Sequence, residues 1–460
     1  MQWPATRMAT QTGKGFGMYE VASALAADGV DVIRLEVGRP AFDTPAHIKA
    51  AAKQALDDGI VHYGDLQGAA ALREALSAKL ARYNGLDFGA DEILVTNGLT
   101  QAAFATFMAG LNNGDEVIVF EPFYPQHNPK IALVGGRVVT VPLDKPAGFR
   151  LDADALEKAI TPRTRMIVLI NPANPVGTVF RQDELERIAQ LAQQHDLIVV
   201  TDEVYDYIVY DDARHISIAA LPGMRERTIT LGAFTKAYAM DGWRIGYAAA
   251  DRRFIQELLR VTLNETTHPC VFAQEGAREA VAGSQDCVAE MVAEDRRRRN
   301  LVCERLNAMP DVSCHVPDGT IYAFPDFSRY GVSSEELAMA LLKDAHVATE
   351  GGSFYGEAGE GHLRICFGAD NYERLDEAMD RIDRFLATRA AAVIGSAGGA
   401  CFRSRPECVL RAGGFQGRRC GERGRVRRLA LGARVFRREP GSGRPARHAR
   451  HGSLCRCLPR

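Results

Sequence analysis

From residue 93 onward the chain keeps repeating one pattern, and few folds can accommodate it. Short, nearly uninterrupted apolar runs recur at 93–96, 116–120, 137–141, 166–170, 197–201, 228–231 and 245–249. Stretches with helical apolar spacing lie between most of them, at 100–110, 125–133, 152–160 and 183–194. A strand that is apolar along its whole length must be covered on both faces, and the intervening helices supply that cover. The expected fold is α/β, with a mostly parallel central sheet flanked by helices. In such sheets ligands bind beyond the carboxyl ends of the strands, so the residues after each run carry the chemistry.

Asn97-Gly98-Leu99-Thr100 follows the first run and opens a helix. Free N–H groups and a glycine for close approach suit a phosphate there, although an ordinary capped helix start has the same look. Glu121-Pro122-Phe123-Tyr124 puts an aromatic at a strand end, where it can stack on a flat ring or simply pack. Asn171-Pro172-Ala173-Asn174-Pro175-Val176-Gly177 holds two Asn-Pro steps, which fix an extended, rigid loop presenting an amide. Asp202-Glu203-Val204-Tyr205 leaves a carboxylate at a strand end, costly to bury unless it meets a cation. Last comes Lys236 in a bend of small residues, followed by Arg244 after the Asp241-Gly242 turn. Each feature has a plain structural explanation. Together they are a phosphate cup, an aromatic plate, an amide, a carboxylate, a lysine and an arginine on one sheet rim. A flat, phosphorylated, nitrogen-containing aromatic aldehyde uses all of them, and pyridoxal 5′-phosphate is such a molecule.

The flanking regions read differently. Residues 18–27 have helical spacing, 33–37 are strand-like, and Gly38-Arg39-Pro40 begins an irregular loop before a helix that Pro45 opens at Ala46. Tyr63-Gly64 and Gly68 mark another loop, and a helix follows at 72–83. Past residue 284 come a long helix to 309, a strand at 320–324, a helix at 334–342, a strand at 363–367 and a closing helix at 372–388. The basic run at 296–299 is flanked by Glu290, Glu294, Asp295 and Glu304, so it reads as a solvated helix face rather than a nucleic-acid site. The expected organisation is a large cofactor-binding domain at 46–283 and a smaller α/β domain from 1–45 and 284–389, closing over the site to exclude water.

Charge separates off the remainder. The net charge of −2 hides a segment, 390–460, with seventeen Arg, three Glu and no Lys, Asp, Asn, Thr or Tyr. That segment carries +14 and leaves −16 on the body. Its Arg-Gly-Ala-Pro-Cys bias looks like a GC-rich frame translated out of register, so a disordered, low-complexity tail is expected; a basic nucleic-acid tail is the alternative. No apolar run reaches a membrane-spanning ~18 residues. The N-terminus lacks signal-peptide order, and the ten cysteines show no paired framework, which fits a reducing, cytoplasmic setting. No metal-ligating cluster is expected.

Over about residues 32–386 the chain resembles the class I/II aminotransferases, the fold-type I pyridoxal-phosphate enzymes. The resemblance rests on the run 171–177, on Asp202-Glu203-Val204-Tyr205, on the segment from Lys236 to Arg244, and on Leu363-Arg364-Ile365. It implies that Lys236 joins the cofactor aldehyde and later moves the α-proton. Asp202 would pair with the protonated ring nitrogen. Asn174 and Tyr205 would bond the ring's 3-oxygen, and Tyr124 would stack on the ring. Gly98, Leu99, Thr100, Thr235 and Arg244 would hold the phosphate. Tyr63 would reach the phosphate of a neighbouring subunit, which makes a homodimer the expected state. Arg364 would grip the substrate α-carboxylate, with Gly38 adding a backbone N–H.

Two departures stand out. The family's serine three residues before the lysine is Ala233 here, and the lysine that some aspartate-specific relatives carry at position 100 is Thr100. The implied activity is transfer of an α-amino group from an L-amino acid to a 2-oxo acid, within the aspartate, aromatic and alanine range. A carbon–sulfur β-lyase on the same scaffold is the alternative. A non-enzymatic regulator is a further one, though only ~35 residues precede the first motif, too few for a helix-turn-helix domain. Phe16, Tyr19, Phe354 and Tyr355, with 264–270 of a partner, are the expected side-chain pocket. Their aromatic lean favours neutral or aromatic side chains.

Overall fold

The computed structural model of this chain describes residues 3–10 and 17–398. Its centre is a seven-stranded sheet in the order β2-β8-β7-β6-β5-β3-β4. The strands are β2 (Ile93–Thr96), β3 (Glu116–Glu121), β4 (Arg137–Pro142), β5 (Thr164–Ile170), β6 (Ile198–Asp202), β7 (Thr228–Ala233) and β8 (Gly246–Ala249). Only β8 runs against the others, pairing antiparallel with β2 and β7. The mostly parallel sheet is therefore present, and the carboxyl ends of β2, β3, β5, β6 and β7 share one rim. Strands β2, β3 and β8 are buried at every residue, although β2 lies at one edge of the sheet, whereas β4, at the other edge, is largely open. Continuous apolarity in the sequence thus marked the covered strands, but it also marked 137–141, which forms the open edge strand β4.

Helices α4 (Leu99–Gly110), α5 (His127–Leu133), α6 (Ala153–Ala159), α7 (Gln182–Gln194) and α8 (Arg252–Glu265) cover this sheet, with α2 (Ala46–Asp57), α3 (Ala70–Lys79) and α9 (Val271–Ala282) packed together beside it. Local chemistry sets several starts. Pro45 precedes α2 as expected, and Asp152 Oδ1 accepts from Ala155 N at 2.9 Å to cap α6. The expected helix 72–83 ends early: α3 stops at Lys79, a wider turn takes Leu80–Asn84, and Gly85 closes it at φ 68°. That widening carries Lys79 and Asn84 into a buried bond at 2.8 Å.

A second layer is built from α1 (Tyr19–Ala27), β1 (Ile33–Arg34), α10 (Asp286–Ala308), β9 (Tyr322–Ala323), α11 (Ser334–Ala340), β10 (Val347–Ala348), β11 (Glu350–Gly351), β12 (Leu363–Cys366) and α12 (Tyr372–Gly398). β1 pairs parallel with β10, and β11-β12-β9 form an antiparallel sheet. One apolar cluster joins them through Leu35, Ile321, Leu363, Ile365 and Ile382. The strand expected at 320–324 shortens to Tyr322–Ala323, because Thr320 takes a left-handed φ of 66°.

The basic run at 296–299 corrects the sequence reading. Arg296 and Arg297 face solvent, but Arg298 and Arg299 are buried. Arg299 donates to Pro317 O at 3.0 Å and to Asp211 at 2.7 Å, and its guanidinium lies 4.7 Å from the Tyr210 ring centre. Arg298 pairs with Asp295 and Glu294 and covers Phe42. Half the run is internal cross-bracing, made affordable by full pairing. No helix among the described residues is long and apolar enough to cross a membrane. The closing helix runs to Gly398, beyond the expected 388. Of the 390–460 tail expected to be disordered, 390–398 are instead part of this helix, while 399–460, like Phe16, lie outside the described residues.

Candidate active site

A cavity of about 1130 Å³ opens where the sheet rim meets the second layer. Of the sequence-derived site residues, Gly38, Leu99, Thr100, Tyr124, Asn174, Asp202, Tyr205, Thr235, Lys236, Arg244 and Arg364 all line it. Gly98 lies just behind this wall, and Tyr63 is elsewhere.

Lys236 sits in the bend after β7, which extends past the expected 231 to Ala233. Its amine donates to the carbonyl of Gly38 and lies 5.7 Å from the Tyr205 ring centre. Asp202 ends β6 on the same wall, so amine and carboxylate face one cavity. Its Oδ1 accepts from Val204 N at 3.2 Å. Its Oδ2 meets Nε2 of buried His127 at 3.2 Å. Burial lowers the His127 pKa even against the pull of Asp202. The ring's Nδ1 has no partner among the described residues. Lys130, one turn along α5, also lines the cavity; burial pulls its amine down to about 8, with Asp202 opposing.

At the other end, Gly98 precedes α4 with φ 75°. A Cβ there would stand 2.6 Å from Nη2 of Arg244, so glycine is required both by its backbone and by the guanidinium beside it. Arg244 itself takes φ 53° after a single turn, Asp241–Trp243, and its Nη1 donates to Asp241 O at 2.8 Å. The first N–H groups of a helix have no partner within it. The start of α4 and Arg244 together make an electropositive cup. Gly246 lets β8 pass under that cup, since a Cβ there would lie 2.7 Å from Leu99 N.

Arg364, on β12, is buried in the second layer. One Nη donates to Glu36 O, the other to Asn174 Oδ1 at 3.5 Å, and Nε has no partner. The guanidinium lies 4.5 Å from the Tyr322 ring centre and 5.0 Å from that of Tyr355. Asn174 is held in the Asn-Pro loop, whose two X-Pro bonds are cis. Tyr205 turns its hydroxyl to Tyr322 OH at 2.7 Å. Tyr124 packs edge-on against His127 at 5.2 Å, and burial raises its pKa. Tyr19, Phe354 and Tyr355 line the cavity as well, Tyr355 fully buried. Tyr63 is 89 % exposed, touching His268 at 5.6 Å.

The sequence reading missed His127, Tyr322, Glu36 and Glu350, all of which line the cavity. His127 left a signal: a histidine one turn past the strand-end Tyr124, on a helix facing Asp202. The other three left none, because their places depend on how the second layer docks.

An amine and a buried carboxylate share one pocket here, with an electropositive helix start at one end and a buried arginine at the other. That combination gives the cavity an anion-holding group at each end and a primary amine and a carboxylate between them. The chain belongs to the class I and II aminotransferases, the family matched by residues 30–382. It is an amino-acid aminotransferase on the fold-type I scaffold, and the family works with pyridoxal phosphate. It is 42 % identical to the aspartate aminotransferase of Pyrococcus abyssi over 79 % of this chain and 93 % of that one. It is equally 42 % identical to aromatic-amino-acid aminotransferase 2 of Thermococcus litoralis, over 78 % of this chain and 93 % of the relative. The crystal structure of an aromatic aminotransferase from Pyrococcus horikoshii superposes with a TM-score of 0.77 at 42 % identity, covering 80 % of this chain and 99 % of that one.

Proposed function

We propose that this aminotransferase holds pyridoxal 5′-phosphate in the rim cavity and moves the α-amino group of an L-amino acid to a 2-oxo acid. The observation that carries the proposal is the shared wall: Lys236, Asp202, Tyr124 and the Gly98–Arg244 cup bound one cavity. The donor set fits the group. The cup has helix N–H groups and a guanidinium for a dianionic phosphate, Asp202 has a carboxylate for a ring cation, and Lys236 has a primary amine for an aldehyde. When bound, the cofactor supplies an electrophilic carbonyl and an electron-withdrawing ring.

The chain's own residues do the remaining work. Lys236 Nζ takes and returns the proton at the substrate α-carbon. Asp202, held by His127, would set a carboxylate against the ring nitrogen. Tyr205 and Asn174 would hold the ring's oxygen, and Tyr124 would stack on the ring. Arg364 receives the α-carboxylate through groups not fully used in the protein, including the unpartnered Nε. Rocking of a smaller unit, 1–45 with 284–389, against 46–283 would close the cavity to water.

We further propose a cytoplasmic homodimer in which Tyr63 serves the partner's phosphate cup. Its exposure, beside exposed Ile60, Val61 and Leu66, supports an interface there. A monomeric, fully active protein in sedimentation would remove this part. The main test is a half-reaction with amino acid and no acceptor. One oxo acid per site, with loss of the bound cofactor's long-wavelength absorbance, is expected. Lys236→Ala should lose both. Continuous pyruvate release would mean elimination, and normal turnover in Lys236→Ala would end the assignment.

A further inference from the structure

The wall beside Arg364 is acidic, and its acids are fixed. The β1–β10 register pairs Ile33 with Val347 and Arg34 with Ala348, and Leu35 N continues it by donating to Ala348 O. Carried on, that register brings Glu36 level with Glu350. Across the next pair, Glu350 stands directly opposite Arg364, and Arg364 reaches back to the carbonyl of Glu36. Three neighbouring strand ends therefore bring Glu36, Glu350 and Arg364 together, and all three residues line the cavity.

Neither carboxylate is free to swing away. Glu36 Oε1 is gripped by Arg34 at 2.5 Å, and Glu350 Oε2 accepts from Met18 N at 3.0 Å. Gly17 crosses so near Glu350 that a Cβ would overlap its carboxylate. Yet Glu36 Oε2 is buried with no hydrogen-bond partner among the described residues. Before substrate arrives Arg34 pairs with Glu36, and Arg364 opposes the rise that burial and Glu36 impose on the Glu350 pKa. A substrate α-carboxylate on Arg364 consumes that guanidinium's charge and leaves one carboxylate uncompensated beside it.

We propose that Glu36 and Glu350 act as a charge filter, restricting the enzyme to amino acids and oxo acids that carry no second carboxylate. This rests on the reading that Arg364 receives the α-carboxylate. Uncharged and cationic side chains pass; a distal carboxylate meets a fixed like charge in a poorly solvated place, where repulsion is weakly screened. The filter acts on both half-reactions, so the acceptor is a monocarboxylic oxo acid.

The test uses isosteric pairs that differ in charge: glutamine against glutamate, and asparagine against aspartate. Half-reaction kcat/KM is measured on the cofactor-loaded enzyme, with pyruvate against 2-oxoglutarate as acceptors. The wild type should favour the amide of each pair, and pyruvate, by about tenfold or more. Glu350→Gln and Glu36→Gln, each checked for an unchanged melting temperature, should shrink those ratios at least about fivefold. Glutamate used as well as glutamine by the wild type overturns the filter alone. Unchanged ratios in both variants overturn it too. An enzyme that converts no amino acid overturns the reading of Arg364 along with it.

Discussion

His127 and Asp202 meet in a buried hydrogen bond, Nε2 to Oδ2 at 3.2 Å. A buried carboxylate is tolerable only when something compensates it. On the far side Val204 N donates to Oδ1, so the carboxylate is held from two directions and turned toward the cavity. The histidine fixes where the negative charge points.

Replacing it should therefore impair the chemistry without emptying the site. In His127→Phe a hydrogen bond to a charged group is lost, worth about 1.5–3 kcal/mol. The half-reaction rate should fall roughly ten- to a hundredfold, while the cofactor stays bound at saturating concentration. Stopped-flow absorbance measures both. An unchanged rate would show that Val204 N alone positions Asp202.

How much of this was legible beforehand divides along the two layers. The sheet and its rim could be read because burial on both faces forces continuous apolar runs, and the chemistry must follow them. Lys236, Asp202, Asn174 and Tyr124 were found that way. In the second layer, β1, β9, β10 and β11 are two residues each, too short to leave a period. Glu36 and Glu350 acquire their meaning only from the pairing of those fragments. Arg298 and Arg299 looked solvated because acidic neighbours surround them in sequence, whereas Tyr210, Asp211 and Pro317 arrive from far along the chain.

Gly98 tests the phosphate cup. An alanine there would have to adopt φ 75° and displace the Arg244 guanidinium. Strain of this kind costs on the order of 1–3 kcal/mol, and the displaced arginine weakens the anion site further. Gly98→Ala should bind pyridoxal phosphate at least about tenfold more weakly. Equilibrium dialysis against the free cofactor gives the number. Wild-type affinity would mean that the phosphate lies somewhere other than between α4 and Arg244.

Beneath the site, Glu203 gives the fold a pH dependence of its own. Its carboxyl is enclosed by Ser217, Thr201, Asn84 and His215, near the Lys79–Asp206 pair. Burial, the largest influence, pushes it from 4.5 up to about 8; Asp206 adds to the rise, and Ser217, Lys79 and Thr201 oppose it. The folded protein therefore keeps a proton that the unfolded chain releases near its ordinary value. Stability from this group is full below about pH 4.5 and declines as pH rises toward 8, because over that range the unfolded state binds fewer protons. Glu203→Gln keeps an acceptor for Ser217 and cannot ionise. Its melting temperature relative to wild type should therefore rise between pH 5 and pH 8.5, by a few degrees, in thermal melts of the cofactor-loaded protein. A difference that stays flat or shrinks over that range would mean that Glu203 is already ionised in the native state, held so by Lys79 and the hydroxyls around it.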